Sequence, residues 1–263
     1  MEKPKKSLGQ NFLIDPNTIR KIVESGKLNN HNLIEIGPGT GNLTNELIKS
    51  KNKKITLIEK DKLLYNKLKL KFTNNTNIEI VNSDILKVNL EKLVKKNTII
   101  FGNLPYNISS QILISLIKFE NWLPKYTRLI LMFQKEMADR IIAKRNTKNY
   151  GRLSVIVNHR LDIIESFHIS RNCFFPKPKV ESTLLVFQPK KIEGCKIKDI
   201  KNLEKITNFF FNSKRKMINK KFKSLFKDFD LIAKELNINL SSRPSELSPL
   251  QYCKITEYFE NLT

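Results

Sequence analysis

The sequence predicts an α/β protein with a mostly parallel, doubly wound sheet, followed by a small all-helical domain. Strand-like apolar runs alternate with helical patterns from Asn32 to about Asn158, and a glycine-rich turn follows the first of these runs. After Lys198 the apolar residues recur at helical spacing. The chain has 263 residues, enough for one α/β core and a small appendage. We therefore expect an α/β domain over residues 1–189 and a helical domain over residues 190–263.

The first predicted strand, Leu33–Ile36, opens into a turn that contains Gly37, Gly39 and Gly41 and leads into a helix. Glycines let a backbone approach a ligand closely and adopt φ values that other residues resist. A dinucleotide dehydrogenase would also have such a turn, but its third glycine lies one residue later. The spacing therefore favours a ligand that carries adenosine without a pyrophosphate, and S-adenosylmethionine is the commonest ligand of that kind.

The second and third predicted strands end close to acidic residues. Glu59 closes the run Ile55–Glu59, about twenty residues past the glycines, where α/β folds hold a ribose by its hydroxyls. Asp84 follows the run Ile78–Val81, and its carboxylate can accept a hydrogen bond from an adenine amino group. Such acids are often ordinary strand-end residues, but their place at successive strand ends favours ligand binding.

The fourth predicted strand, Thr98–Phe101, leads through a glycine into Asn103-Leu104-Pro105-Tyr106. The Asn103 side-chain carbonyl and the Leu104 backbone carbonyl can both accept hydrogen bonds from an exocyclic amino group, which would direct the nitrogen lone pair at a sulfonium methyl group. Pro105 fixes the backbone, and Tyr106 offers a ring on which a base can stack. The alternative interpretation is a strand-to-turn corner with a buried tyrosine.

Later segments complete both predicted domains. The runs Leu161–Phe167 and Ser182–Phe187 are expected to finish the sheet with an antiparallel edge. In the tail, Ser248 followed by Pro249 has the pattern of an N-cap with proline at the first helical position, so we expect a last helix there.

The charge balance indicates a polyanionic partner. The chain has 48 Lys and Arg against 25 Asp and Glu, a formal charge of +23, although an AT-rich coding sequence also inflates the lysine content. No acidic residue occurs between Lys205 and Lys227, where cations crowd together. A solvated helical face is the alternative to RNA binding there. The predicted phosphate contacts are Lys214, Arg215, Lys216, Lys220 and Lys221.

Other composition features argue against several classes of protein. The three cysteines and three histidines show no metal-ligand spacing, so we predict no metal site and a reducing compartment. No apolar run approaches the length of a membrane span, so we expect no membrane partner.

Taken together, the motifs resemble those of the bacterial small-subunit (16S) ribosomal RNA adenine N6,N6-dimethyltransferases, the kasugamycin-sensitivity enzymes. The resemblance implies a Rossmann-like, S-adenosylmethionine-dependent methyltransferase that modifies two adjacent adenosines in the 3'-terminal hairpin of 16S RNA during small-subunit assembly. It further implies a cytoplasmic enzyme, expected to be a monomer. The segments that carry it are Leu8–Leu13, Glu35–Gly39, Phe101–Ser109, Gln134–Glu136, Tyr150–Val155, Phe174–Ser182 and Gln251–Cys253.

The same resemblance implies roles for individual residues. Phe174 is similar to the family's second stacking residue, opposite Tyr106, although it could instead be a core residue beneath a proline-rich loop. Cofactor binding is implied for Asn11, Leu13, Gly37, Glu59, Asp84 and Asn103.

Two alternatives stay open from the sequence. The erythromycin-resistance methyltransferases share the fold but modify large-subunit RNA; the segments Asn103–Asn107, Gln134–Glu136 and Tyr150–Ser154 look more like the small-subunit enzymes. A non-catalytic factor that only binds the maturing subunit is a second alternative. The intact set of cofactor residues favours an enzyme over such a factor.

Overall fold

The structure is a computed structural model that describes residues 4–5 and 8–262, and it divides into two compact units. The first unit comprises Met1–Ala138 and Ile163–Pro189; the second comprises Asp139–Asp162 and Lys190–Thr263. The observed division differs from the predicted one at the segment Asp139–Asp162, which the sequence pattern places in the α/β domain and the structure places in the second unit. It joins the helical unit because its apolar residues, Tyr150 among them, pack into that unit's core.

Strands and helices alternate through the first unit, and helices dominate the second. The strands of the described residues are β1 (Phe12–Leu13), β2 (Asn32–Ile36), β3 (Lys54–Glu59), β4 (Ile78–Asn82), β5 (Thr98–Asn103), β6 (Tyr126–Gln134), β7 (Leu161–Ile169), β8 (Phe174–Phe175) and β9 (Ser182–Pro189). The helices are α1 (Pro16–Gly26), α2 (Asn42–Leu47), α3 (Lys62–Lys71), α4 (Leu90–Leu93), α5 (Ser109–Ile117), α6 (Lys135–Ile141), α7 (Arg152–Arg160), α8 (Ile200–Phe211), α9 (Asn219–Leu225), α10 (Phe229–Glu235) and α11 (Pro249–Leu262).

Seven strands form one sheet in the order β4-β3-β2-β5-β6-β9-β7, and β1 pairs with β8 in a separate two-stranded ladder. Strands β2 to β6 pair in parallel, whereas β9 is antiparallel to β6. The predicted mostly parallel sheet with an antiparallel strand is therefore confirmed. The chain runs outward from β2 to β4 and then returns to β5 on the other side of β2. This reversal of order is where open α/β sheets bind ligands.

The central parallel strands β2, β3 and β5 are buried on both faces, which explains why they read as continuous apolar runs in the sequence. Leu57, Ile99 and Phe101 are fully buried in the sheet. Parallel pairing brings Ile36 level with Ile58 on one side and with Gly102 on the other, so the strand ends meet at one edge.

The helical unit has its own apolar core, which includes Leu203, Phe210, Phe222 and Tyr252. Ser248 Oγ accepts a hydrogen bond from the Gln251 N–H at 3.2 Å, so the predicted N-cap of the last helix is confirmed. None of the helices within residues 4–5 and 8–262 has the length and apolar character needed to cross a membrane.

One buried carboxylate connects α11, the last helix, to the start of α8. Glu260, on α11, is 5% exposed and accepts hydrogen bonds from the N–H groups of Lys198 (2.6 Å) and Asp199 (3.0 Å) and from Asn202 Nδ2 (2.9 Å). It thereby satisfies donors at the start of α8 that the helix itself leaves unpaired.

We predict that Glu260→Ala lowers the free energy of unfolding of the helical unit by about 2–4 kcal/mol, because it removes three charge-assisted hydrogen bonds and leaves part-buried donors without this partner. Thermal unfolding followed by circular dichroism measures the change. The control is Glu193→Ala, which truncates an exposed residue of the same unit. Equal midpoints for the two variants would contradict the capping role.

Candidate active site

A cavity lies in the first unit, where the loops after β2, β3, β4 and β5 meet. The cavity is lined by Asn103, at the end of β5, and by the three residues that follow it. The glycine turn, which follows the neighbouring strand β2, lines it as well. The structure therefore brings together every residue of the predicted cofactor set. These residues are Asn11, Leu13, Gly37, Glu59, Asp84 and Asn103.

The glycine turn is held against the end of β3 by Glu59. One Glu59 oxygen accepts a hydrogen bond from the Gly39 N–H at 3.1 Å, and the other accepts one from the Asp61 N–H at 2.8 Å. Gly39 has φ +59°, and a Cβ atom there would lie 2.9 Å from the Phe12 ring. A side chain at this position would be strained and would collide with the ring, so the turn requires glycine.

Two glutamates at this edge are buried. Burial raises the pKa of Glu59, and hydrogen bonds from the Asp61 and Gly39 amides oppose the shift. Burial also raises the pKa of Glu35, to about 7; the Thr44 hydroxyl, which donates to Glu35 at 2.6 Å, opposes the shift. Glu35 lines the cavity, but the sequence pattern gave it no role of its own.

Asp84 has the opposite electrostatic environment. Its carboxylate forms an ion pair with Lys60 Nζ at 2.8 Å and accepts a hydrogen bond from the Leu86 N–H at 3.1 Å. The Lys60 hydrogen bond is the largest cause of a lowered Asp84 pKa. Lys60 also lines the cavity. A ligand amino group that binds Asp84 would therefore share the carboxylate with the Lys60 ammonium group. Sequence reasoning missed Lys60, although its place directly after Glu59 at a strand end was a usable signal.

The segment after β5 presents two carbonyl oxygens. Asn103 uses its amide nitrogen to donate to the Asn11 backbone oxygen at 2.8 Å, which orients the side chain. Among the described residues, no hydrogen bond is formed to Asn103 Oδ1 or to the Leu104 carbonyl oxygen. The Tyr106 hydroxyl is 2.7 Å from Ser182 Oγ, and the tyrosine is half-buried. Two acceptors and one ring are thus available at the cavity.

The segment that carries Asn11 and Leu13 is anchored by a residue that sequence reasoning did not single out. Asn42, at the start of α2, donates from Nδ2 to the Leu13 carbonyl at 2.8 Å. Pairing of β1 with β8 adds a second attachment. These contacts explain how Asn11 and Leu13, which precede the seven-stranded sheet in the chain, come to line the cavity at its edge.

Phe174 has a different environment from the one expected of a stacking residue. It is 3% exposed, packs in the apolar core of the first unit and is absent from the cavity lining. Its pairing with Leu13 directs it inward, and because successive strand side chains alternate, Phe175 is 38% exposed. This placement favours the alternative, a core phenylalanine, and the stacking role stays a prediction from the family resemblance.

The predicted RNA-binding cluster divides into two kinds of residue. Lys214 Nζ donates to the backbone oxygens of Lys148 (2.6 Å) and Tyr150 (2.7 Å). Lys221 Nζ donates to the Phe209 carbonyl, and burial lowers the pKa of both lysines. These two ammonium groups bind backbone oxygens within their own unit, and the contact of all five residues with phosphates stays a prediction. The exposed members are Arg215, Lys216 and Lys220.

A ligand cavity at the switch point of a mostly parallel sheet with an antiparallel strand near its edge fits a Rossmann-like methyltransferase, although other open α/β proteins bind ligands at the same place. Residues 1–261 match a family model described as ribosomal RNA adenine dimethylase. The chain belongs to this family: it is an rRNA adenine dimethyltransferase, and its methyl donor is S-adenosylmethionine.

Individual relatives agree with this assignment. Ribosomal RNA small subunit methyltransferase A from Pelagibacter ubique is 46% identical over 263 residues, which cover 99% of this chain and 98% of that protein. The protein of the same name from the Wolbachia of Drosophila simulans is 36% identical over 262 residues, with 99% and 95% covered.

Solved structures show the same fold. A dimethyladenosine transferase from Plasmodium falciparum has a TM-score of 0.75 at 24% identity, with 95% of this chain and 98% of that chain covered. The 23S rRNA methyltransferase ErmE has a TM-score of 0.70 at 24% identity, with 95% and 99% covered.

We predict that Glu35 makes stability fall as the pH rises. Its folded-state pKa, about 7, lies above the ordinary value of about 4.3, so the fold favours the protonated form. The stabilisation is complete below about pH 4.3 and is lost as the pH rises through 7. The Gln side chain of Glu35→Gln stays neutral at every pH. The free energy of unfolding of this variant should therefore exceed that of the wild type by about 3 kcal/mol at pH 8, with little difference at pH 4.

Unfolding midpoints across this pH range test the prediction. Glu24→Gln, a change at an exposed position of the same unit, is the control. Parallel profiles for wild type and Glu35→Gln would show that Glu35 does not titrate in this interval.

Proposed function

We propose that this enzyme dimethylates N6 of two adjacent adenosines in the 3'-terminal hairpin of 16S RNA, within the assembling small ribosomal subunit. The observation that carries the proposal is the pair of available oxygens, Asn103 Oδ1 and the Leu104 carbonyl, at the edge of the cavity. The small-subunit substrate is supported by the names of the relatives from Pelagibacter ubique and Wolbachia. In this proposal the enzyme acts as a monomer in the cytoplasm.

The cavity residues fit S-adenosylmethionine by their chemistry. Glu59 keeps acceptor capacity for ribose hydroxyls beyond the two amides it already binds, and Asp84 can accept a hydrogen bond from the cofactor's adenine amino group. The glycine turn leaves space for backbone to approach the ligand. When bound, S-adenosylmethionine supplies a methyl group on a cationic sulfur.

Asn103 and Leu104 then act on the target amino group. The lone pair of an adenine amino nitrogen is delocalised into the ring, so the amino group is a poor nucleophile. Two hydrogen bonds from N6 to Asn103 Oδ1 and the Leu104 carbonyl favour a tetrahedral nitrogen whose lone pair points at the methyl group. The hydrogen bond from Asn103 to the Asn11 backbone keeps Oδ1 directed at the substrate side. No strong base is required: the cationic sulfur of bound S-adenosylmethionine would favour the transfer, the sulfur–methyl bond would break as the N6–methyl bond forms, and the N6 proton would leave to water.

Tyr106 holds the base after it has left the RNA stack. Its hydroxyl lies 2.7 Å from Ser182 Oγ, a contact that fixes the far end of the side chain. A stacked aromatic contributes about 1–3 kcal/mol to base binding. In the helical unit, the exposed cations Arg215, Lys216 and Lys220 contact RNA phosphates.

We predict that Asn103→Ala abolishes methyl transfer and that Tyr106→Ala weakens substrate binding, whereas Tyr106→Phe keeps near wild-type activity. The alanine variants remove an acceptor and a stacking ring, while the phenylalanine variant loses only the hydroxyl contact with Ser182. Single-turnover methylation of small subunits that lack the modification measures each effect, and mapping of N6,N6-dimethyladenosine identifies the product. A wild-type rate for Asn103→Ala would contradict the proposed mechanism.

We predict that replacing Arg215, Lys216 and Lys220 together with Gln weakens binding to the small subunit. The slope of its salt dependence should fall by roughly 0.7–0.9 for each phosphate that the protein no longer neutralises. Cofactor affinity should stay unchanged. The matched control replaces Lys49, Lys51 and Lys53 on the first unit. Equal slopes for the two triple variants would mean that the cluster is a solvated face.

A further inference from the structure

Asp61 joins three parts of the catalytic unit through one buried side chain. It is 4% exposed and caps α3, because its Oδ1 accepts the Leu63 N–H at 2.9 Å. The same carboxylate forms an ion pair with Lys5 Nζ at 2.9 Å and accepts a hydrogen bond from Gln10 Nε2 at 3.2 Å. A helix cap needs neither of these last two contacts.

The contacts of Asp61 connect directly to the cavity. Its backbone N–H donates to Glu59 at 2.8 Å, and Gln10 itself lines the cavity. Lys5 and Gln10 are also joined to each other, since the Lys5 N–H donates to Gln10 Oε1 at 2.7 Å. Asp61 therefore binds the side chains of both Lys5 and Gln10.

The remaining attachments of this N-terminal segment lie further along the chain. Asn103 binds the Asn11 carbonyl, Asn42 binds the Leu13 carbonyl, and β1 pairs with β8. All of them hold residues 11–13. Among the described residues, the hydrogen bonds and ion pairs that connect Lys5 and residues 8–10 to parts of the unit beyond residue 13 go to Asp61. Residues 8–10 line the cavity, and Asp61 supplies their polar attachment to the rest of the described unit beyond residue 13.

We propose that Asp61 is a positioning residue that holds residues 8–10 closed over the cofactor through its contacts with Lys5 and Gln10, and that it thereby slows cofactor release. The inference rests on the proposed function in one respect, the binding of S-adenosylmethionine in this cavity. It goes beyond that function because Asp61 acts on the segment and on Glu59 rather than on the cofactor itself.

Asp61→Asn separates the closing role from the helix cap. Asparagine caps a helix about as well as aspartate and can still accept the Leu63 N–H, but it lacks the charge that binds Lys5. Lys5→Met and Gln10→Ala remove the other partners without touching the cap. Because Lys5 is 44% exposed, solvent screens part of its interaction, and we expect moderate effects.

The experiment measures the dissociation rate and Kd of S-adenosylmethionine by stopped-flow fluorescence and calorimetry with the full chain. We expect Asp61→Asn to release the cofactor about threefold to tenfold faster, with the single-turnover methyl-transfer rate at saturating cofactor unchanged. Lys5→Met should release it faster as well, Lys5→Arg should restore the wild-type rate, and the double variant Lys5→Met/Asp61→Asn should be no worse than Asp61→Asn.

Asp199→Asn is the matched control, since Asp199 caps α8 in the helical unit by accepting the Lys201 N–H at 2.8 Å. Wild-type dissociation rates for both Asp61→Asn and Lys5→Met would overturn the proposal. Should Asp61→Asn fail to fold, Lys5→Met decides alone. Glu59→Ala separates the closing role of Asp61 from cofactor binding in the cavity. If Glu59→Ala weakens cofactor binding while the Asp61 and Lys5 variants do not, only the closing role fails. If Glu59→Ala also binds normally, the cavity assignment and the closing role fail together.

Discussion

The hydrogen bond from the Gly39 amide to the buried Glu59 carboxylate fixes the turn after β2 against the end of β3, and the site is built outward from it. The second oxygen of Glu59 continues the connection to Asp61, which begins α3. Any side chain at Gly39 would press on Phe12 and push the turn away from the acid. One amide and one carboxylate thus hold the glycine turn against the end of β3.

The carboxyl groups around this contact follow two different electrostatic patterns. Glu35 and Glu59 are buried among neutral donors, and burial raises the pKa of each. Burial also acts to raise the pKa of Asp61, but hydrogen bonds from Lys5 and other donors outweigh it and lower that pKa. Asp84 has a lysine partner as well. Lysine side chains thus lower the pKa values of Asp61 and Asp84, whereas burial raises those of Glu35 and Glu59.

Sequence reasoning found the features that depend on local pattern and missed those that depend on distant contacts. Glu59, Asp84 and Asn103 were predictable because parallel strands present their carboxyl ends at one edge. Which of two adjacent phenylalanines is buried was not predictable, since the pairing of Phe174 with Leu13 decides it. Nor could charge density distinguish Lys214 from its neighbours, because its partners are backbone oxygens more than sixty residues away in sequence.

The helical unit is made of two separate stretches of chain, Asp139–Asp162 and Lys190–Thr263. During translation the first stretch leaves the ribosome well before the second, so Tyr150 and Val155 have no apolar partners to pack against until α8 and α11 have been synthesised. A fragment that stops at residue 189 exposes these side chains, and a fragment that starts at residue 190 lacks them. The unit that carries the exposed cations can therefore complete its fold only after α11 has been synthesised, although part of its core lies more than eighty residues earlier in the chain.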